Sequence, residues 1–254
     1  LIDKQDGVGG TLNVADKPPL KDKITRYVES MERQLRALGV KFVLDTMISE
    51  VKERDIALLK AIAPEAIFYA VGAVPVCPGF LWDKDNVFFA EDVLVGRLEP
   101  AGKVAIIGSG LTGIETAELL IENGHKVALV DMLPEIGYGI FPAVRNDELS
   151  RVLPHDPEIY TGHAIVAVED GYVLLKEVAT GEEKKVEADS VVLSLGVRPN
   201  TELEAYLREI MGDITIIPIG DARKGGKIAT ATTDGFQAGY IYDVYNPALI
   251  PDYK

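Results

Sequence analysis

The chain has 254 residues, 47% of them hydrophobic, with 26 Lys and Arg against 40 Asp and Glu and a formal net charge of −14. That composition supports a packed core of one large or two ordinary domains, and an acidic surplus spread along the chain argues against binding to nucleic-acid phosphates. No apolar run reaches the roughly 18 to 20 residues that span a bilayer, and Cys77 alone allows neither an intramolecular disulfide nor a cysteine cluster, so a cytoplasmic protein with no membrane association is expected.

The chain opens "LIDKQDGVGG", two apolar residues leading to Asp3 and then to the Gly9-Gly10 pair. This is the pattern of a strand that ends in an acid and runs into a glycine turn. Next, Ile24, Val28, Met31, Leu35 and Leu38 recur at spacings of four, three, four and three, with Gly39 behind them, which predicts an amphipathic helix with a glycine stop. "VKFVLD" predicts a short buried strand, Arg54 to Ala63 a short helix, and "EAIFYAVGAVP" an apolar strand ending at Gly72. Alternation of strand and helix predicts an α/β sheet.

From Pro75 to about Lys103 the period is lost and Pro, Gly and charge accumulate, as in a connection between domains. A second unit starts at Val104 with a strand, a glycine turn, a helix from about Gly113 to Asn123 and the strand "KVALVD". Further on, "TGEE" separates two alternating runs, as a hairpin turn does. "DITIIPIGDA" then reads as a strand entering a glycine-acid turn, followed by a helix around Thr232 to Tyr245. The chain thus leaves one α/β unit, builds a second and returns to the first.

"VAIIGSGLTGIETAELLIENGHKVALVD" carries the most chemistry. Gly108, Gly110 and Gly113 follow an apolar strand and open a helix, and the three positions serve different needs: a tight turn, close approach of backbone to a pyrophosphate, and close packing of helix on strand. Ser109, Leu111 and Thr112 complete the loop, and the helix behind it directs amides and the positive end of its dipole at phosphate. Asp131, about 20 residues beyond the first glycine, suits an adenosine ribose and repels a 2′-phosphate, so NADH is expected over NADPH.

With these residues the chain resembles the flavoproteins of the pyridine nucleotide-disulfide oxidoreductase type, in which an NAD domain is inserted into an FAD domain. It looks most like the C-terminal part of the NADH:flavin oxidoreductases related to 2,4-dienoyl-CoA reductase, 2-enoate reductase and trimethylamine dehydrogenase. The matching stretches are "GGTLNVADKPP", "YAVGAVP", "GSGLTGIETA", "DMLPEIG", "LSLGVRPN" and "IGDA". The resemblance implies two Rossmann-like three-layer domains: residues 1–100 and 188–254 forming an FAD domain, with an NAD domain at 101–187 inserted between its segments. It further implies that Asp3 holds the FAD adenosine ribose, that Gly10, Thr11 and Leu12 line the flavin site, and that Met47 and Ile48 lie near the adenine. Ala70, Val71 and Gly72 would pass the FAD phosphates, Asp221 would meet the ribityl chain, and Gly196 would sit beside the nicotinamide nucleotide. Val71 stands where the family usually has Thr, so a contact from that hydroxyl is absent.

Two departures bear on function. The redox cysteine pair of the disulfide reductases is missing, since no Cys precedes Cys77, and that branch is set aside. The FMN and iron–sulfur cluster of the nearer relatives belong to an N-terminal barrel that this chain does not carry, and the first strand and glycine loop of the FAD domain would lie before Leu1. The expectation is therefore a module that takes FAD and NADH and passes hydride from NADH to FAD for a barrel domain or subunit, with no side-chain acid or base required. The alternative is an adenine-nucleotide-binding or interaction module that does not hold FAD.

The remaining residues take plainer readings. Cys77 is a small buried apolar side chain, and His125 fits a helix-to-strand turn. His155 and His163 fall in a loop-rich stretch, and no His pair has metal-ligand spacing. Tyr240, Tyr242 and Tyr245 form a packing surface.

Overall fold

The computed structural model describes residues 1–244. In chain order its helices are α1 (Leu12–Ala15), α2 (Asp22–Ala37), α3 (Lys52–Ile62), α4 (Ala90–Leu94), α5 (Leu111–Glu122), α6 (Pro142–Val152), α7 (Glu202–Met211) and α8 (Ile228–Val244). The strands are β1 (Ala66–Tyr69), β2 (Ala73–Pro75), β3 (Val87–Phe89), β4 (Val104–Ile107), β5 (Val127–Asp131), β6 (Glu158–Thr161), β7 (His163–Glu169), β8 (Tyr172–Glu177), β9 (Glu183–Glu187), β10 (Ser190–Leu193), β11 (Val197–Pro199) and β12 (Thr215–Pro218). The fold is α/β, as the alternation predicts.

The chain divides into two compact units, one of residues 1–11, 28–74 and 197–254, the other of residues 12–27 and 75–196. Around the expected inserted domain of 101–187 the junctions fall at 74/75 and 196/197, and residues 12–27, expected in the first unit, group with the second. Strand pairing explains the two junctions. β3, placed in the connection by its loss of period, and β10, beyond 187, both lie in the sheet of β4: β10 pairs with β4 on one side and with β3 on the other, all parallel.

In the second unit the sheet order is β3-β10-β4-β5-β6, every neighbour parallel. Both faces of such a sheet are covered, which is why its central strands are continuously apolar. Val104, Ile106, Val127, Leu129 and Val192 point to a helical layer that supplies Ile114, Ala117 and Leu120 from α5 and Val152 from α6. The alternate residues Ala105, Ile107, Ala128, Val130, Val191 and Leu193 point to the antiparallel sheet β7-β8-β9, which supplies Val168, Val173, Leu175 and Val186. The side-chain period of two sorts one strand onto two cores. "TGEE" does form the β8–β9 turn, with Glu177 paired through its backbone to Glu182 and Gly181.

A chain of charges lies under the helical layer of this unit. Lys21 Nζ bridges Glu115 (2.7 Å) and Glu148 (2.8 Å), and Arg151 contacts Glu148 (2.7 Å), Glu118 (2.6 Å) and Asp147 (2.7 Å). Glu115, Glu118 and Glu148 are buried. Burial raises the carboxyls of Glu115 and Glu118, against the pull of Lys21 and Arg151 respectively.

In the first unit β1 pairs in parallel with β12, β2 lies beside β11, and Ile2 makes a parallel bridge to Val43. Leu59, Tyr69, Leu207, Ile216 and Ala222 form its core. "VKFVLD" makes that one bridge, and beyond it the Asp45 N–H donates to the Gln5 carbonyl and the Thr46 N–H to the Asp3 carbonyl. The glycine stop of α2 is present, Gly39 having φ 79°, but none of the α2 side chains is buried. α8 covers the helix expected around Thr232, whereas Tyr245 lies outside the described residues.

Candidate functional site

The glycine loop follows β4 at the point where the strand order of the second unit reverses, with β5 on one side of β4 and β10 on the other. Open parallel sheets place ligands at such a switch point, beyond the carboxyl ends of the strands. Gly108 has φ 99°, and a Cβ there would stand 2.2 Å from the Ser194 carbonyl oxygen. A Cβ on Gly113 would stand 2.0 Å from the Gly108 carbonyl oxygen, so these two glycines are demanded by packing. Gly110 differs: its φ of −64° is ordinary and a Cβ would meet nothing within 4 Å. Space is kept in front of it.

The first hydrogen bond of α5 runs from the Ile114 N–H to the Gly110 carbonyl at 3.0 Å. The amides of Gly110, Leu111, Thr112 and Gly113 precede it and are the open donors of the helix N-terminus. Ser109 is committed elsewhere, since its N–H (2.7 Å) and hydroxyl (2.6 Å) both donate to Asp131 Oδ2. Oδ1 of Asp131 accepts from the Leu133 N–H at 2.9 Å. With about two acceptor sites per carboxylate oxygen, Oδ2 is filled and Oδ1 keeps one. Three donors thus orient the carboxylate while leaving it able to accept a hydroxyl.

A cleft of about 330 Å³ adjoins these groups. Gly108, Asp131 and Leu195 line it together with Pro78, Phe80, Ile107 and Val130, and Met132, Leu133, His163, Ala164 and Ile165 close it. Gly196, which follows Leu195, has φ 83° and accepts a hydrogen bond from the Val76 N–H at 3.0 Å. Gly108 to Gly113, Asp131 and Gly196 all belong to this unit.

Pro78, Phe80, Met132, Leu133, Leu195 and His163 were not legible as cleft residues. For His163 the available signal was its place one glycine beyond β6, the strand paired with β5. Far from a loop, it begins β7.

The first unit repeats part of this construction. Asp3 Oδ1 accepts from the Gln5 N–H at 2.9 Å, the same i to i+2 contact that Asp131 makes with Leu133. The Asp3 N–H donates to the Val43 carbonyl, and the Thr46 N–H to the Asp3 carbonyl, so Met47 and Ile48 follow directly on the segment bound to Asp3. The Ile219 N–H donates to the Tyr69 carbonyl at 3.1 Å, which brings Asp221 to the end of β1, where Ala70, Val71 and Gly72 lie. Gly72 has φ 74°, and a Cβ on it would approach Thr11 Oγ1 at 3.9 Å. Gly10 has φ 51°. Leu12 opens α1 and groups with the second unit. Residues of the kinds needed for an adenosine ribose, Asp3, and a phosphate-adjacent turn, Gly72, are therefore present.

Cys77 is partly buried, its thiol contacts the Pro78 carbonyl at 3.5 Å, and burial raises its pKa, which suits a packing residue and not a nucleophile.

The family model of the pyridine nucleotide-disulphide oxidoreductases matches residues 58–216. The chain is 32% identical to an NADH oxidase of Thermoanaerobacter brockii over 94% of its length and 36% of that protein. It is 30% identical to a bilirubin reductase of Mediterraneibacter gnavus over 95% of its length and 36% of that protein. Among solved structures, a 2-naphthoyl-CoA reductase superposes with a TM-score of 0.78 at 26% identity, over 94% of this chain and 35% of that one. The 6-hydroxypseudooxynicotine amine oxidase of Pseudomonas geniculata gives 0.82 at 25%, over 95% and 38%. The chain spans about a third of the length of the curated relatives it matches. It belongs to the pyridine nucleotide-disulphide oxidoreductase family, whose members are flavin-dependent oxidoreductases.

Proposed function

We propose that the chain is the dinucleotide-binding part of an NADH:flavin oxidoreductase, with NADH held by the second unit and FAD by the first. When bound, the two nucleotides would supply the redox chemistry, hydride transfer from nicotinamide to flavin for use by a barrel domain or subunit. The residues of the chain serve to bind and orient. Gly110, Leu111 and Thr112 would present amides to the pyrophosphate of NADH, and Oδ1 of Asp131 would accept from its adenosine ribose. Asp3, Met47 and Ile48 would hold the adenosine of FAD, while Ala70, Val71, Gly72 and Asp221 would serve its phosphates and ribityl chain, with Gly10, Thr11 and Leu12 toward the flavin.

The observation that carries this reading is Asp131, fixed by Ser109 and Leu133 with one acceptor site to spare at the edge of a cleft. Its charge favours a free ribose 2′-hydroxyl over a 2′-phosphate, so NADH is the expected nucleotide. A visible spectrum of the purified protein before and after NADH tests the whole reading. Flavin absorption that bleaches on addition supports it. A protein that stays colourless after incubation with FAD, yet binds NADH, would establish an adenine-nucleotide-binding module instead.

A further inference from the structure

We infer that His163 reads the purine of the nucleotide bound in the second unit, accepting a hydrogen bond from a 6-amino group at Nε2 and so selecting adenine over a 6-oxo purine. The inference rests on the reading of this cleft as the NADH site.

The tautomer follows from one contact. His163 Nδ1 lies 2.7 Å from the Thr161 carbonyl oxygen, and a carbonyl can only accept, so Nδ1 carries the hydrogen. In the neutral ring Nε2 is then an acceptor. The described residues place no hydrogen-bond partner on it.

The ring is also held from the side. It meets Tyr160 edge to face, with centroids 6.1 Å apart at 77°, and Tyr160 is itself tethered by its hydroxyl to Glu158 at 2.8 Å. Lys184 Nζ stands 4.8 Å from the Tyr160 ring centroid. An imidazole positioned this way presents a fixed acceptor.

Composition of the cleft makes that acceptor decisive. Of the side chains lining it, Asp131 and His163 alone carry nitrogen or oxygen. Asp131 is spoken for by a ribose in this reading. The base beyond that ribose has the apolar side chains of Met132 and Leu133, 60% and 43% exposed, to lie against, and His163 to contact its edge. Adenine offers a 6-amino donor to Nε2, whereas hypoxanthine puts a carbonyl oxygen at that position, setting acceptor against acceptor.

The test compares binding of NADH and reduced nicotinamide hypoxanthine dinucleotide, followed by nicotinamide fluorescence. The wild-type chain is expected to bind NADH at least about tenfold more tightly, the scale of one satisfied against one unsatisfied hydrogen bond. His163→Phe keeps an aromatic ring beside Tyr160 and should bring the ratio near one, mainly by weakening NADH. His163→Lys, which has only donors, should turn the preference toward the 6-oxo nucleotide. A ratio within one folded protein does not depend on its stability, so a purely structural histidine would leave it unchanged. Equal wild-type affinities, or a wild-type ratio that survives in His163→Phe, would overturn the role of His163 while leaving the NADH site intact. Failure of both nucleotides to bind the wild-type chain would overturn the site and, with it, the inference.

Discussion

Gly110 and Gly113 stand in one motif, yet they answer to different physics. At Gly113 a Cβ has nowhere to go, because the Gly108 carbonyl oxygen is backbone and 2.0 Å away. Gly113→Ala should therefore destabilise the second unit by about 1 to 3 kcal/mol, the usual cost of overpacking a close contact. Gly110→Ala should leave thermal stability within about 0.5 kcal/mol, since the added carbon enters open space at an ordinary φ, while NADH binding weakens at least about tenfold. Melting curves and nucleotide titration on the two variants check both halves. Asp131→Asn makes the complementary case. It keeps the shape, removes the charge that disfavours a 2′-phosphate, and should narrow the NADH over NADPH preference about tenfold, as a change of roughly 1.4 kcal/mol in relative affinity would. If the ratio of the two affinities stays at its wild-type value, charge is not what sets it.

At the scale of elements, β4 and β5, which obey a simple apolar period, were legible, and α6 and β7, in which that period is interrupted, were not. β4 and β5 read cleanly because their buried residues are apolar, and the glycine loop between them carried both the site and α5, although Glu115, Thr116 and Glu118 are buried in that helix. α6 did not, because one of its inward residues is Glu148, buried against Lys21 and Arg151, and a charge at a core position erases the apolar period. β7 was missed because its register shifts between Ile165 and Ala167, breaking strict alternation. With β7 unread, the cleft wall around His163, Ala164 and Ile165 could not be assembled from sequence. α3 holds a comparable buried charge. Asp55, fully buried, accepts from the Ser49 N–H (2.8 Å), the Tyr206 hydroxyl (2.8 Å) and Arg54 (2.9 Å). Burial raises its pKa, but Tyr206, Ser49 and Arg54 together outweigh that and hold it below the usual 3.8. A lowered pKa means that the folded state binds this proton less readily than the unfolded state, so its stabilisation is present above about pH 4 and is lost as pH falls through the folded value. Asp55→Asn should lower the melting temperature at pH 7 and flatten its decline between pH 5 and pH 3. An unchanged acid limb would show that Asp55 does not set it.

Over the whole molecule, the two units have cores of unequal size. Among the described residues, twelve buried ones gather on each face of the five-stranded sheet, against five in the first unit, and stability follows buried apolar area. Calorimetry should therefore resolve two transitions, the lower one belonging to the first unit. Ligands identify them, because a molecule that binds only the folded state raises the transition of the unit it binds. NADH at about a hundred times its dissociation constant contributes roughly 2.7 kcal/mol, which for a unit of this size raises the upper transition by roughly 8 to 15 °C. FAD should move the lower transition and leave the upper one in place. Asp131→Asn should reduce the NADH shift without touching the FAD shift, and Asp3→Asn the reverse, since each acid serves one unit. A single transition moved by both nucleotides would mean that the units unfold together. A lower transition indifferent to FAD would mean that the first unit, despite Asp3 and Gly72, does not hold the flavin nucleotide.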